Sequence, residues 1–386
     1  MATRPYWLDR PLAPLARRRL ARAPEAVVVG AGVSGCTCAL TLAAAGWRVR
    51  LFEAGVVAGG ASGRNGGFAL RGAAPSYLEA RERLGAGAAR ALWRLSERGL
   101  ARLERLAGSH FRRVGSLRLA ADAHELEQLR AEHAALRGDG FAVEWRETLE
   151  RPLASRYLGG LYQPLDGALD PVLWVRSLAQ RALAAGVEIV EGRRLEAGEL
   201  AGLDCRAVVV AVDAHTSALL PELAEAVSPR RGQMIATAPL GRDLFARPHY
   251  ARGGFDYWQQ LPDRRLLLGG CRDRAGAREE TLDDETSPLV QDALDRLAAT
   301  LLESPYEVTH RWSGCWGETP DRLPLAGPLP GRERTWVACG YSGHGNVLGL
   351  VYGELVARAV LGEAAAELEL VAPTRAGVAR AGSAPG

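Results

Sequence analysis

Three glycines at a fixed spacing are the residues of this sequence best suited to position a phosphate group. Gly30, Gly32 and Gly35 follow a short valine-rich run at residues 25–29, and a stretch rich in alanine and leucine comes next, at 36–45. In a β-α-β unit the first glycine makes a tight turn, the second lets a pyrophosphate approach the backbone, and the third lets helix and strand pack closely. The glycines therefore predict a dinucleotide-binding turn, with a β-α-β unit that binds no nucleotide as the alternative.

The residues beside this turn complete the predicted phosphate and ribose contacts. Val33 and Ser34 lie at the start of the predicted helix, where backbone N–H groups and the positive end of the helix dipole attract phosphate. Glu53 ends the next predicted strand, eighteen positions after Gly35, and is expected to accept hydrogen bonds from ribose hydroxyls. Val190, the last residue of another short apolar run, is assigned to the same cofactor site.

A second glycine-rich segment lies directly beyond the predicted ribose position and distinguishes between two cofactors. Residues 59–67 read GGASGRNGG. NAD and FAD both use the β-α-β unit, but FAD extends farther and has a flavin ring that a loop with few side chains can cradle. We therefore predict FAD, with a flexible surface loop as the alternative interpretation of this segment. The predicted contacts here are Ala61, Ser62, Arg64, Asn65, Gly66 and Gly67.

A third segment of small residues, GYSGHG at 340–345, follows a predicted strand and precedes an apolar helix. Its small residues let a flat ring lie against the backbone, and the helix N-terminus directs positive potential toward that ring. Reduced flavin carries negative charge near N1 and O2, so this dipole is expected to stabilise the reduced cofactor. His344 is either a catalytic residue or a turn histidine with a structural hydrogen bond. The predicted cofactor contacts are Gly340, Ser342, Gly343, His344 and Gly345.

These three segments lie at the ends of strands in a predicted α/β fold. The first 30 residues after residue 23 form a β-α-β unit, and the valine-rich run at 207–212 is expected to rejoin its parallel sheet. Amphipathic helices are predicted at 86–107 and 123–137, while 229–271 has the pattern of a mostly antiparallel sheet. The fold class is thus a Rossmann-type FAD-binding domain interleaved with an α+β substrate domain. The predicted FAD-binding domain comprises 24–84, 165–228 and 306–370, the substrate domain comprises 85–164 and 229–305, and an N-terminal extension at 1–23 and a flexible tail at 371–386 flank them.

Composition excludes several classes of protein. All 48 basic residues are arginine, so a pyridoxal phosphate Schiff base, a Walker A ATPase and a lysine nucleophile are excluded. The net charge of +3 is too small to predict binding to nucleic acid or to an anionic membrane. The six cysteines show neither zinc-ligand spacing nor a disulfide framework. The uncharged stretch 26–47 is interrupted by glycine, serine and threonine, so we expect no membrane insertion. We expect a cytoplasmic protein, and the sequence leaves its oligomeric state open.

Together these segments resemble the D-amino-acid-oxidase-like family of FAD-dependent oxidoreductases, in its glycine/sarcosine oxidase branch. Within that branch the sequence is most similar to gamma-glutamylputrescine oxidoreductase-like amine oxidases. Besides the three glycine-rich segments, the resemblance rests on further motifs spread along nearly the whole chain: YWLD at 6–9, GFDYW at 254–258, LLLGG at 266–270, TPD at 319–321 and LP at 323–324. The resemblance implies FAD bound in an extended conformation.

The resemblance also implies a reaction. A hydride leaves the carbon next to an amine nitrogen for flavin N5, the resulting imine hydrolyses to an aldehyde or keto acid, and O2 or another acceptor reoxidises the flavin. The protein contributes position and a dry pocket that favours the neutral amine. Tyr257, Trp258 and Phe255 are the aromatic candidates for that pocket, with ordinary core packing as the alternative. The predicted catalytic residues are Tyr257, Trp258 and His344.

Three departures from the family pattern refine these expectations. Gln259 and Gln260 occupy the region where amino-acid oxidases of the family place a carboxylate-binding arginine, which favours an amine without an α-carboxylate. No lysine stands at 266–268, where sarcosine-oxidase-like members activate oxygen, so another cation or another electron acceptor is required. Cys315 lies near the motif at 319–321 where some relatives attach flavin covalently, but its spacing is one residue short.

Two alternative functions stay open beside the oxidation of a small-molecule amine. A glycine, sarcosine or D-amino-acid oxidase would use Arg64, Arg252 or Arg311 to bind the substrate carboxylate and would form hydrogen peroxide. A flavin-binding domain that acts on a macromolecule such as tRNA belongs to another class of protein, and the absence of a basic stripe argues against it.

Overall fold

The computed structural model describes residues 4–375 as two compact, interleaved units. The parallel-sheet unit comprises Pro11–Gly63, Pro171–Arg230 and the described chain from Cys315 onward. The antiparallel-sheet unit comprises the described chain up to Arg10 together with Arg64–Asp170 and Arg231–Gly314. The sequence-based prediction placed the changes between domains after residues 84, 164, 228 and 305. Most of its predicted flexible tail, 376–386, lies outside the described residues.

Seventeen strands and ten α-helices occur within residues 4–375. In chain order, the strands β1 to β17 are Ala26–Val29, Val49–Phe52, Phe68–Ala69, Phe111–Arg112, Ser116–Leu119, Glu144–Arg146, Gly160–Gln163, Gly167–Leu169, Glu188–Val190, Ala207–Val210, Ser228–Thr237, His249–Ala251, Asp256–Gln260, Leu266–Gly270, Val308–Glu318, Leu325–Pro328 and Thr335–Cys339. The helices α1 to α10 are Val33–Ala44, Ala61–Arg64, Tyr77–Leu84, Ala86–Ala107, Ala123–Gly138, Pro171–Ala184, Ala197–Leu200, Thr216–Leu219, Pro288–Leu302 and Gly345–Val360.

A six-stranded sheet forms the centre of the parallel-sheet unit, in the order β16-β17-β10-β1-β2-β9. The strands from β17 to β9 pair in parallel, and β16 pairs antiparallel to β17. Strands β1 and β10 both read AVVV and are completely buried, which is typical of central strands in a sheet covered on both faces. The predicted return of the chain to the opening sheet is therefore confirmed.

Helix α1 packs closely against α10 in this unit because α10 carries glycines where the two helices meet. A Cβ atom on Gly353 would lie 2.6 Å from the carbonyl oxygen of Ser34, and one on Gly349 would lie 3.0 Å from the Ser34 hydroxyl. The missing side chains let the backbone of α10 reach the first turn of α1. The start of α1 is therefore fixed by a neighbouring helix as well as by the sheet.

An eight-stranded sheet, in the order β15-β11-β14-β13-β12-β5-β7-β6, forms most of the antiparallel-sheet unit. Neighbouring strands from β11 to β6 pair antiparallel except β12 and β5, which are parallel. Helix α9 packs on β14, and side chains of both join the apolar core of this unit. A three-stranded sheet, β3-β8-β4, completes the unit's strands. The predicted mixed α/β fold class, with a mostly antiparallel second sheet, is confirmed.

The uncharged stretch 26–47 forms strand β1 and the twelve-residue helix α1. Within residues 4–375, no helix combines the length and the apolar character needed to cross a membrane. The two predicted amphipathic helices are confirmed as α4 and α5. The arginine-rich face of α4 is solvated, while Leu92, Leu100 and Leu103 are buried.

Candidate cofactor-binding and active site

The first glycine segment forms a turn between β1 and α1 that requires glycine at two positions. Gly30 has a φ of 100°, and a Cβ atom there would lie 2.5 Å from the carbonyl oxygen of Ala211. A Cβ atom on Gly35 would overlap the carbonyl oxygen of Gly30. Helix α1 can therefore start this close to β1 only with glycine at both positions, as the predicted dinucleotide turn requires.

The first turn of α1 is the point where all three glycine-rich segments meet within the parallel-sheet unit. Gly32 is the N-cap residue and has no side chain to cap the helix. The Ser62 hydroxyl oxygen accepts a hydrogen bond from Val33 N–H (3.1 Å), and the Ser34 hydroxyl bonds to the hydroxyl of Tyr341 (2.7 Å). A helix start carries N–H groups without intrahelical acceptors and positive potential, so this turn suits a pyrophosphate.

Glu53 is held beside this turn by backbone groups. Its Oε2 accepts a hydrogen bond from Ala31 N–H and its Oε1 accepts one from Gly55 N–H, both at 2.8 Å. Its own N–H donates to the carbonyl oxygen of Val190 (2.9 Å), the last residue of β9. The structure thus places Glu53 and Val190 together at the carboxyl ends of adjacent parallel strands, next to Gly30 and Gly32. Carboxylate oxygens have further lone pairs, so Glu53 can also accept from a ligand hydroxyl.

The third segment makes a turn with left-handed backbone between β17 and α10. Gly340, Ser342 and Gly343 have φ values of 67°, 50° and 89°. Ser342 N–H donates to the carbonyl oxygen of Gly317 (2.9 Å), which ties the turn to β15. His344 is half-buried and is the N-cap residue of α10, and Gly345 is the first helical residue. The turn therefore presents a helix start with small residues, as the sequence predicted.

Asp213 also holds this turn, and the sequence analysis missed it. Its two carboxylate oxygens accept hydrogen bonds from Gly317 N–H and Gly340 N–H, each at 2.9 Å. Burial raises the pKa of the Asp213 carboxyl group, and the surrounding backbone N–H groups oppose that rise. The available signal was an acidic residue three positions after the end of the buried strand β10.

The second segment leaves open space beside its backbone at Gly60, as an extended dinucleotide would need. A Cβ atom on Gly60 would meet no atom within 4 Å, and its φ lies outside the left-handed region. Packing within the protein therefore does not require glycine there, and the open space leaves room for a ligand close to the backbone. A Cβ atom on Gly343 would also meet no atom within 4 Å, although its left-handed backbone by itself favours glycine there.

The remainder of the second segment belongs to the antiparallel-sheet unit, where two side chains fix its backbone. The indole N–H of Trp7 donates to the carbonyl oxygen of Asn65 (2.9 Å), and the Asn65 side-chain oxygen accepts from Gly67 N–H (2.8 Å). The buried amide of Gln259 donates to the carbonyl oxygens of Gly66 and Gly67, the latter at 3.3 Å. Trp7 and Gln259 were not predicted to act on this segment. The YWLD motif at 6–9 was the signal for the first of them.

Tyr257 shares a face of β13 with Gln259, because alternate residues of a strand point the same way. Its ring lies flat across its cross-strand partner Gly269, where a Cβ atom would overlap the ring. Phe68 approaches it edge-on, with ring centroids 6.0 Å apart. Burial raises the pKa of Tyr257 to about 12, with Arg272 opposing. The hydroxyl is therefore neutral at physiological pH.

Trp258 points to the opposite face of the same strand. It is fully buried in the apolar core and stacks on His249, with ring centroids 5.4 Å apart, and on Tyr157 at 6.0 Å. Burial lowers the pKa of His249 to about 3, so this ring is neutral. The structure thus separates two of the predicted catalytic residues, because Tyr257 and Trp258 do not share a face of the sheet.

Each arginine that the amino-acid oxidase alternative requires is paired with a carboxylate. Arg252 binds Asp256 and Asp273, with closest distances of 2.7 and 2.9 Å. Arg311 binds both carboxylate oxygens of Asp295 at 3.0 Å. Arg64 lies 3.3 Å from Asp284 and also donates to the carbonyl oxygen of Ser313 (3.1 Å). Their positive charges are therefore already partly neutralised within the protein.

Comparison with known proteins places these features in one family. The family described as FAD dependent oxidoreductase (DAO) matches residues 25–359. Among curated relatives, gamma-glutamylputrescine oxidoreductase of Escherichia coli is 28% identical, with 88% of this chain and 84% of that protein covered. A probable oxidoreductase, OrdL, of Rhizobium meliloti is 27% identical, with 94% and 88% covered. The crystal structure of glycine oxidase from Geobacillus kaustophilus matches with a TM-score of 0.73 and 25% identity, covering 89% of this chain and 96% of that one. The chain belongs to the DAO family of FAD-dependent oxidoreductases, and FAD is its cofactor.

Proposed function

We propose that this enzyme oxidises the carbon–nitrogen bond of a small amine that has no carboxylate on the reacting carbon. The observation that carries the proposal is Gln259. It stands on the Tyr257 face of β13, where the family resemblance leads us to expect an arginine in amino-acid oxidases, and its amide binds the carbonyl oxygens of Gly66 and Gly67. A neutral amide in this position offers no positive charge to a substrate carboxylate. The similarity to gamma-glutamylputrescine oxidoreductase supports the same conclusion.

When bound, FAD would supply the acceptor for the two electrons removed in the oxidation of this carbon–nitrogen bond. In the parallel-sheet unit, the start of α1 would bind the pyrophosphate through backbone N–H groups, and Glu53 would accept hydrogen bonds from the ribose. The start of α10, after His344, would stabilise negative charge through the positive end of its dipole. In the antiparallel-sheet unit, Gly66 and Gly67 would present backbone rather than side chains to the cofactor.

Tyr257 would act on the substrate without adding charge to its surroundings. Its hydroxyl is neutral because burial raises the pKa to about 12, so it can donate a hydrogen bond to or accept one from the amine. Phe68 and the tyrosine ring itself would exclude water. A dry, neutral environment lowers the pKa of a bound amine because desolvation disfavours the ammonium form. The neutral amine has the free lone pair that assists cleavage of the neighbouring C–H bond.

The substrate class is tested by pairs of compounds that differ only in the α-carboxylate. Ethylamine and D-alanine form one pair, and dimethylamine and sarcosine form another. Putrescine and gamma-glutamylputrescine extend the series to longer amines. The measurement is the loss of oxidised-flavin absorbance on anaerobic mixing, followed by readmission of O2 to ask whether oxygen accepts the electrons. We expect at least one amine without an α-carboxylate to reduce the flavin faster than its carboxylated partner.

A glycine- or sarcosine-type oxidase is the second candidate, because glycine oxidase is the function named for a solved structure with a TM-score of 0.73. In the same experiment this candidate predicts the reverse order within every pair, together with rapid formation of hydrogen peroxide. Reduction by no amine in the series would contradict both candidates.

A further inference from the structure

Asp213 connects the ends of two strands beneath the third glycine-rich segment. It follows β10, and its carboxylate oxygens accept hydrogen bonds from Gly317 N–H, in β15, and Gly340 N–H, directly after β17. Its own backbone is left-handed, with a φ of 47°, a conformation that costs an aspartate about 1 kcal/mol or more and persists only where the surroundings fix it. All of these residues belong to the parallel-sheet unit.

The two glycines whose N–H groups bind this carboxylate are closely packed. A Cβ atom on Gly317 would lie 3.2 Å from Asp213 Oδ1 and 2.7 Å from a methyl group of Val227. A Cβ atom on Gly340 would lie 2.6 Å from a methyl group of Thr319. The two N–H groups that bind the carboxylate thus come from glycines. The missing side chain of Gly317 leaves room for the carboxylate, and that of Gly340 leaves room for Thr319. The turn at 340–345 is held on one side by this carboxylate and on the other by the hydrogen bond from Ser342 N–H to Gly317.

The charge of Asp213 is balanced by backbone dipoles alone in the part of the chain that the structure describes. No arginine or histidine within residues 4–375 forms an ion pair with it, whereas Asp321 in the same unit binds Arg375. The backbone N–H groups stabilise the charged form of this carboxylate against the burial that raises its pKa, and its negative charge adds to the electrostatic field of the turn. That field opposes the positive end of the α10 dipole.

We propose that Asp213 is a positioning residue for the flavin-binding turn at 340–345 and that its negative charge makes the bound flavin harder to reduce. The inference goes beyond the oxidation of amines and rests on the assignment of this turn to FAD. A negative charge fixed behind the turn disfavours the additional negative charge of reduced flavin, so it shifts the two-electron equilibrium toward the oxidised cofactor. The same carboxylate aligns the turn, so its removal also loosens the cofactor.

The test compares Asp213→Asn and Asp213→Gly with the wild-type holoenzyme. Asparagine removes the charge and keeps one acceptor, and glycine removes both while accepting the left-handed backbone. The readouts are the flavin midpoint potential, measured by dye equilibration without any amine, and the dissociation constant of FAD, measured by flavin fluorescence. Exposed Asp204 in the same unit provides the control Asp204→Asn.

We expect both Asp213 variants to favour reduced flavin about tenfold more than wild type, which is about 30 mV for a two-electron couple. FAD should bind about tenfold more weakly to Asp213→Gly than to wild type, and more weakly by a smaller factor to Asp213→Asn. Wild-type potentials in both variants would overturn the electrostatic part, and wild-type FAD affinity in Asp213→Gly would overturn the positioning part. If Asp213→Gly does not fold, Asp213→Asn alone decides. Because no amine is used, an incorrect substrate class would leave these results unchanged.

Discussion

At the scale of single residues, Glu53 gives the most direct test of cofactor binding. Its carboxylate is oriented in the protein alone by Ala31 N–H and Gly55 N–H, so binding FAD requires little further ordering. We expect Glu53→Ala to weaken FAD binding about tenfold to a hundredfold, because a hydrogen bond to a charged group contributes about 1.5–3 kcal/mol. The dissociation constant is measured by titrating apo-protein with FAD.

The control is Glu82→Ala, which removes an exposed carboxylate from α3. It should retain wild-type flavin content, and both variants should keep the wild-type circular dichroism spectrum as apo-proteins. Full flavin retention by Glu53→Ala after gel filtration would show that the ribose contact is made by another residue.

Residue roles were predicted well where they follow from backbone shape and poorly where they follow from side-chain direction. Close backbone contacts require glycine at positions 30 and 35, and the spacing of the glycines in the sequence was enough to predict this. Tyr257 and Trp258 were assigned together, but adjacent residues of a strand face opposite sides, and only the register of β13 in its sheet decides which side holds the core. Asp213 acts on residues more than 100 positions away, and its place after a valine-rich run indicates the sheet edge but not these partners.

At the scale of elements, the pairing of β13 with β14 positions Tyr257 through a missing side chain. Gly269 is the cross-strand partner of Tyr257, and a Cβ atom there would overlap the ring. We expect Gly269→Ala to tilt the tyrosine away from the strand, reduce kcat/KM for the best amine at least tenfold and lower stability by about 1–3 kcal/mol. FAD content should stay at the wild-type level, because the turns around Gly30 and Gly340 are unchanged.

The matched control is Gly87→Ala in α4, where a Cβ atom would meet nothing within 4 Å. Alanine there should leave activity unchanged and raise stability slightly, since alanine favours helix over glycine by about 1 kcal/mol. Steady-state kinetics and thermal unfolding separate the two variants. Wild-type kcat/KM in Gly269→Ala would mean that the orientation of Tyr257 does not matter for the reaction.

Elements with strong local patterns were predicted closely, and those formed by distant pairing were not. Helix α4 has the predicted bounds because five leucines at helical spacing and a glycine at each end define it. Strands β4 and β8 have two and three residues, and they pair with each other although more than 50 positions separate them along the chain. A run that short carries no periodicity of its own, so its strand structure is a property of the sheet.

At the scale of the whole molecule, buried titratable groups with opposite effects determine how stability changes with pH. Burial raises the pKa of Asp166 to about 6, with Arg71 opposing, so the folded protein holds a proton that the unfolded chain has lost. The contribution of Asp166 to the free energy of unfolding is therefore complete at acid pH, below the pKa of the unfolded chain. It is lost as the pH rises through about 6, the pKa of the folded protein. His249, whose pKa is lowered to about 3, has the opposite effect, because its contribution is lost as the pH falls. The two changes partly cancel, so the wild-type profile alone conceals both.

Asp166→Asn separates the two contributions. The asparagine oxygen can keep the bond from Arg71 N–H, now 2.8 Å, and its amide can donate to the Ser116 hydroxyl, which now donates to Asp166 at 2.6 Å. Relative to wild type, the variant should gain about 3 kcal/mol of unfolding free energy between about pH 4 and about pH 7, because it has no carboxylate to ionise in the core. Urea unfolding followed by tryptophan fluorescence measures this difference, with the exposed Asp243→Asn as the control. A difference between variant and wild type that does not change with pH would mean that folding does not raise the pKa of Asp166, because Arg71 fully offsets the effect of burial.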